Sequence, residues 1–299
     1  MSYMLATNET YAGGVSAVDA ALDAEALFTP KVTGTVLPNG QTDTETFTVY
    51  REYADGSQAV LNAGVKAGYH AGSYETLVNT AEAMFPESVT ALQTWDHGGI
   101  LSFRQDLGLT HTFADGDELD QHLLYVGSLN SEFSTKIVGF AHRPFCSNEI
   151  PHGNIAVAQK RTTNHDQLLF SKAQVLAESY NRFHLFCSNA TLLKSLELTK
   201  SFQRALLDEL APLVTDPDAS TRAVNAASNR RDGILYHLAD EIETFGSNAY
   251  SFYNAVQSYE FHDRTKGKQE AIRKMRVVSE PEKAQSLTVR AGELLLAAA

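Results

Sequence analysis

The 299-residue sequence predicts an α+β protein, with a mainly antiparallel, curved sheet in the N-terminal half covered by a helical C-terminal half. Two observations carry this. Up to residue 165 apolar positions tend to alternate between turn residues, whereas from Asp166 onward they recur at threes and fours. The two textures follow one another and never alternate as βαβ units would. A hydrophobic content of 43% over this length suffices for one large core or two ordinary ones.

Residues 1–30 read as an acidic, irregular or partly helical arm closed by Pro30. Residues 32–53 alternate around Val, Phe and Tyr with Pro38-Asn39-Gly40 between them, which predicts a hairpin. Asp55-Gly56 supplies the next turn and residues 59–65 a short strand. Ser73 to Thr76 precede Leu77, Ala81, Met84 and Phe85 at helical spacing, and Pro86 ends that helix. A second hairpin spans 89–108 around Asp96-His97-Gly98-Gly99. The acidic stretch ADGDELDQH, 114–122, leads into a strand at 123–126, and a further strand follows at 136–141. At least six strands are expected before residue 150.

Asp166 reads as the N-cap of a long helix whose inner face is Leu169, Ala173, Leu176, Tyr180, Phe183 and Cys187. Helices at 193–213, 221–245, 247–261 and 282–299 follow, the first closed by Thr215-Asp216-Pro217-Asp218. The division expected is an arm (1–30), an antiparallel β-rich core (31–165), a helical region packing on it (166–278) and a C-terminal helix or tail (279–299). Leu294-Leu295-Leu296 is a candidate oligomer contact, with ordinary packing as the plainer fate.

Only Cys146 and Cys187 are present, the N-terminus lacks a basic start and apolar run, and no stretch approaches the ~20 apolar residues of a membrane span. These features point to the cytoplasm of a bacterial host cell and away from a membrane role. The formal charge is −12, yet residues 264–276 (RTKGKQEAIRKMR) carry +5, leaving −17 elsewhere. A compact basic run can meet phosphates while an acidic body resists other polyanions. The plain alternative is a solvated helix face or a tail paired with acidic surface.

Polar groups are densest at 123–165. Arg143, Lys160 and Arg161 converge if their strands pair, beside Asn148, Asn164 and His165, as a groove for phosphate oxygens. Trp95, Phe103 and Tyr125 offer faces for unstacked bases, with Arg104 nearby, although strand aromatics usually pack in a core. Cys146 with His152 or His165 would form a nucleophile and base. No third orienting group accompanies them, so Cys146, like Cys187, reads more simply as a small buried apolar residue. The histidines and aspartates lack metal-site spacing, and neither G-x-x-x-x-G-K-[ST] nor G-x-G-x-x-G occurs.

Arg143-Pro144-Phe145-Cys146-Ser147-Asn148-Glu149-Ile150 followed by Lys160-Arg161-Thr162-Thr163-Asn164-His165 resembles the RVVCxN(T/M)L…RHTxN pattern of the phage- and plasmid-encoded domain of unknown function 932 family. Residues 61–75 resemble its G-V-x-x-x-Y segment and residues 92–107 its glycine hairpin. The helix at 249–264 resembles its A-W-x-x-x-N-A-V-T-E-Y-x-D-H segment through Asn254, Ala255, Val256, Tyr259, His262 and Asp263. The similarity covers about residues 50 to 265. Two departures stand out: the family's NSHDGS segment is reduced to SLNSEF at 128–133, without His-Asp-Gly, and Glu149 replaces a small residue. The resemblance implies a phage or mobile-element origin and no established activity.

The reading these residues favour is a non-enzymatic nucleic-acid-binding protein acting on single-stranded DNA in recombination or replication, with single-strand annealing as its candidate task. It calls for no cofactor and for a homo-oligomer that multiplies weak contacts. Arg143, Lys160 and Arg161 would track phosphates, and Arg264, Lys266, Lys268, Arg273, Lys274 and Arg276 would extend the path. The alternatives are a metal-dependent nuclease or phosphodiesterase, and a structural or host-interaction protein without DNA affinity.

Overall fold

A computed structural model describes residues 5–67, 69, 71–143, 148–151, 157–159, 177–267, 269–280 and 286–299, with backbone alone at 5–7, 148–151, 157–159 and 177–178. Antiparallel sheets occupy the N-terminal half and helices the C-terminal half, an α+β arrangement. The chain divides into two compact units that interleave along the sequence: Met1–Leu109, Asp120–Phe140 and Pro151–Asn181 in the first, Thr110–Leu119, Ala141–Ile150 and Arg182–Ala299 in the second. The expected division at residue 165 is therefore not where the compact units part.

The larger sheet runs β1 (Leu5–Val15), β5 (Val89–Trp95), β6 (Ile100–Thr112), β7 (Glu118–Ser128), β8 (Thr135–Arg143) and β10 (Val157–Gln159), with β9 (Asn148–Pro151) also on β8. A separate sheet joins β2 (Lys31–Val36), β3 (Thr42–Glu52) and β4 (Gln58–Lys66). The hairpins form where the turn chemistry placed them. Gly40 takes φ 79° in the β2–β3 turn and Gly56 takes φ 82° in the β3–β4 turn, values that suit a residue without Cβ.

Within the expected arm, residues 5–30 contain a strand and a short helix, where an irregular or partly helical segment was expected. Leu5–Val15 pairs antiparallel with β5, and helix α1 (Ala17–Asp23) follows, its Ser16 hydroxyl accepting the N–H groups of Val18 and Asp19. The register shifts between Thr10 and Val15, where Gly13 and Gly14 take φ 84° and 81°. Thr, Asn, Glu and Gly dominate that strand, so it lacks the alternation that marks a half-buried one.

Helix α2 (Glu75–Met84) buries Leu77, Val78 and Ala81 in a core shared with Leu92, Phe103, Leu123, Tyr125 and Ile137. Trp95, Phe103 and Tyr125 are all buried, and the last two stack on each other at 4.6 Å. They belong to the core and not to a base-stacking face.

The second unit holds most of α3 (Ala177–Ser195), then α4 (Lys200–Leu210), α5 (Thr221–Phe245), α6 (Ala249–Ser258), α7 (Glu270–Ser279) and α8 (Leu287–Ala298). Side-chain oxygens of Thr199, Ser220, Asn248 and Ser286 cap α4, α5, α6 and α8. Asp166, Leu169, Ala173 and Leu176 lie outside the described residues. On α3, Phe183 and Cys187 are buried, whereas Tyr180, expected inward, is exposed.

The helix expected at 193–213 is broken, because Glu197 bridges Asn248 and the Leu198 N–H donates to Ser247 before Thr199 starts α4. At the C-terminus Leu295 is buried and Leu294 half-buried while Leu296 is exposed, so the three leucines do not form one exposed patch. Among the described residues no helix is long and apolar enough to cross a membrane.

Candidate nucleic-acid interface

Arg143, at the end of β8, is wholly buried in the second unit. Its Nε donates to Asp117 Oδ1 at 3.0 Å and its Nη1 to Glu241 Oε2 at 2.7 Å, while the guanidinium lies 4.0 Å from the Phe245 ring centroid. Lys194 Nζ bonds the other Asp117 oxygen at 3.0 Å and Asp115 at 2.6 Å. The charges thus form one chain, Asp115, Lys194, Asp117, Arg143 and Glu241, roofed by Phe113, Phe245 and Tyr250.

Such a chain is a structural brace, since a cation this enclosed cannot meet a phosphate without leaving the buried Glu241 carboxylate without its counter-ion and Asp117 with Lys194 alone. The expectation that Arg143 tracks phosphates is corrected accordingly. Burial pushes the Glu241 carboxyl above the usual carboxylate range, against the pull of Arg143.

The basic run behaves differently. Helix α6 passes into a π-helical turn, Tyr259–Asp263, which re-aims the chain before α7. Glu260 in that turn is buried, and its oxygens accept from Ser286 Oγ, the N–H groups of Leu287 and Thr288, and Thr288 Oγ1 at 2.7–2.9 Å. It therefore caps α8 from a distance and also receives Arg264 Nη1 at 2.6 Å. Arg273 Nη1 donates to the Lys266 carbonyl at 3.0 Å, closing the loop between turn and helix.

As a result Arg264, Arg273 and Arg276 line one cavity of about 350 Å³, together with Thr265, Glu260 and Glu280. The flanking cations are matched locally: Lys266 bonds Asp263 at 2.6 Å and Lys274 bonds Glu270 at 2.7 Å. Burial acts to raise the Asp263 carboxyl, but the bonds from Lys266 and His237 outweigh it and hold the group below the usual range. The hydrogen bond from Lys274, then its charge, holds Glu270 low as well. Residues 260–280 carry a net charge of +2, smaller than the +5 of the 264–276 window because Glu260, Asp263 and Glu280 fold into the same segment.

Of the residues singled out in the sequence, the structure brings Arg264, Arg273 and Arg276 together and pairs Lys266 and Lys274 with Asp263 and Glu270 outside that lining. Arg104 is half-buried on β6 in the first unit. Asn148 is described by its backbone in β9, and Lys160, Arg161, Asn164, His165 and Lys268 lie outside the described residues, as do Cys146 and His152. Cys187 sits in the core, where burial pushes its thiol up to about 12. Among the described residues no group of three or more His, Cys, Asp and Glu side chains is placed to share a metal ion.

Sequence reading missed Glu260 as an organiser and Asp117, Lys194 and Glu241 as the partners of Arg143. The Glu260–Arg264 and Glu270–Lys274 spacings were visible as helical i,i+4 pairs. Arg143 and Asp117 are 26 residues apart, and nothing local marks that pairing.

A family model described as Domain of unknown function (DUF932) matches residues 69–289. No curated protein and no solved structure matches the chain.

Proposed function

The chain belongs to the family described as Domain of unknown function (DUF932), and since that description names no activity, we propose from its own residues that it is a nucleic-acid-binding protein. Its ligand is single-stranded DNA, met in the recombination or replication of a phage or other mobile element within a bacterial cytoplasm, with annealing of complementary strands as the task. The observation that carries the reading is the convergence of Arg264, Arg273 and Arg276, three cations of one short segment, on a single cavity. Guanidinium groups offer five N–H donors each in a planar fork suited to phosphate oxygens. The acidic remainder of the chain, −17 outside residues 264–276, disfavours indiscriminate coating of polyanions and so confines contact to such a site.

Fluorescence anisotropy with labelled single- and double-stranded oligonucleotides of matched length, in EDTA at low and physiological salt, tests it. Salt-sensitive preference for single strands is expected, with marked weakening in the Arg273→Ala/Arg276→Ala double variant. Absence of binding at low salt would transfer the protein to a structural or host-interaction role. Strand cleavage on adding a divalent cation, lost again in EDTA, would make it a nuclease.

A further inference from the structure

Three features of the arginine-lined cavity bear on which part of a strand it takes. The first is size. A volume of about 350 Å³ falls at the small end of ligand pockets, which run from about 300 to 1,000 Å³, and matches one nucleotide better than a run of them. A surface that tracks a backbone needs an elongated groove with successive cations along it.

The second is the distribution of charge. Lys266 and Lys274, the described lysines of the segment, are each held by a carboxylate of the same segment, Asp263 and Glu270. Arg264 is held likewise by Glu260, so what sets the cavity apart is that three guanidinium groups face one volume, against the two carboxylates of Glu260 and Glu280. The third is how the walls are held. Glu260 contributes a carboxylate to the cavity, but four donors at the start of α8 and the Arg264 guanidinium bond it. Its charge is thus compensated from within the fold, and it fixes Arg264 against the wall as a positioning residue.

A site of this kind rewards a compact, highly charged group. A terminal phosphate monoester carries about −1.5 to −2 at neutral pH with three acceptor oxygens, whereas an internal phosphodiester carries a single charge and is flanked by two sugars. From these observations we infer that the cavity is a terminal-phosphate pocket, which captures the phosphorylated end of a single strand. This rests on the nucleic-acid reading above and adds to it the part of the strand that is recognised. Internal stretches of the strand then interact weakly, through the rest of the surface.

The test compares one single-stranded sequence carrying a 5′-phosphate, a 3′-phosphate, or hydroxyls at both ends, each labelled at the end opposite the phosphate. Binding to the full chain is followed by anisotropy at low salt with EDTA. One phosphorylated end should bind about tenfold or more tightly than the hydroxyl-ended strand, in keeping with a charge-assisted contact. Inorganic phosphate should compete away that increment alone.

Arg273→Gln, an exposed position, should erase the preference while keeping the thermal transition, and Glu260→Gln should reduce it by loosening Arg264. Equal affinity for all three oligonucleotides would overturn the terminal-phosphate inference while leaving single-strand binding intact. Failure of all three to bind would overturn the nucleic-acid reading itself, and the two failures are distinguished without recourse to any variant.

Discussion

Replacing Arg143 by leucine would remove the cation that neutralises Glu241 and shares Asp117 with Lys194. Breaking a buried pair by deleting one partner costs about 3–5 kcal/mol, because a charge is left without its counter-ion in a medium that solvates it poorly. We expect Arg143→Leu to lower the urea midpoint of the second unit by a corresponding amount, with tryptophan-independent far-UV circular dichroism as the probe. A near-wild-type midpoint would remove the brace from the account.

The same cluster has a pH signature. Burial tends to raise the Asp115 carboxyl, but the hydrogen bond from Lys194, the Asp117 N–H and the ammonium charge together hold it below the usual range. A carboxyl depressed in the folded state contributes stability that is full above its ordinary value of about 4 and is lost as pH falls through the lowered one. Lys194→Met should therefore begin acid unfolding at a higher pH than the parent, and coincident acid-titration curves would contradict this. Glu241 works in the opposite sense: its raised value makes folding take up a proton, so its contribution declines as pH rises above the ordinary carboxylate range.

At the scale of elements, the π-helical turn between α6 and α7 deserves its own test because it aims the basic segment. Tyr259, its first residue, lies against Gly233 of α5, where an added Cβ would fall 2.6 Å from the ring. Alanine is favoured over glycine within a helix by about 1 kcal/mol, but forcing atoms into a packed contact costs about 1–3 kcal/mol. The overlap is severe, so Gly233→Ala should destabilise the second unit and weaken binding of a phosphorylated strand together. Increased stability with unchanged binding would show that the turn tolerates the displacement of Tyr259.

What the sequence disclosed at this scale follows from how local each signal is. Pro38-Asn39-Gly40, Asp55-Gly56 and Asp96-His97-Gly98-Gly99 dictate their own backbone turns, so the hairpins were legible. The helix at residues 221–245 was equally clear, with Ser220 as its cap and Gly246 at its end. The break before α4 was hidden, because Leu193 and Leu196 keep helical spacing up to it while a bridge from Glu197 to the distant Asn248 ends the helix. The cavity was hidden for a related reason: the run of cations could be read, but its shape depends on Glu260 reaching residues 286–288, which are remote in sequence.

Across the whole molecule, charge segregation sets how binding should respond to salt. Each phosphate neutralised on a single strand contributes about −0.7 to the slope of log K against log salt concentration. If contact is confined to Arg264, Arg273 and Arg276, the slope should be no steeper than about −2, whereas engagement of all six cations in 264–276 would give about −4. The shallower value is expected, because Asp263 and Glu270 already hold Lys266 and Lys274, and binding that displaced them would exchange one ion pair for another. The acidic body works in the same direction by repelling the distal strand at low salt, which offsets part of the attraction that salt would otherwise screen. Anisotropy titrations across a salt series, with a phosphorylated strand, measure this slope directly. A value near −4 would mean that the intramolecular pairs open and that the whole basic segment, rather than its cavity, is the binding surface.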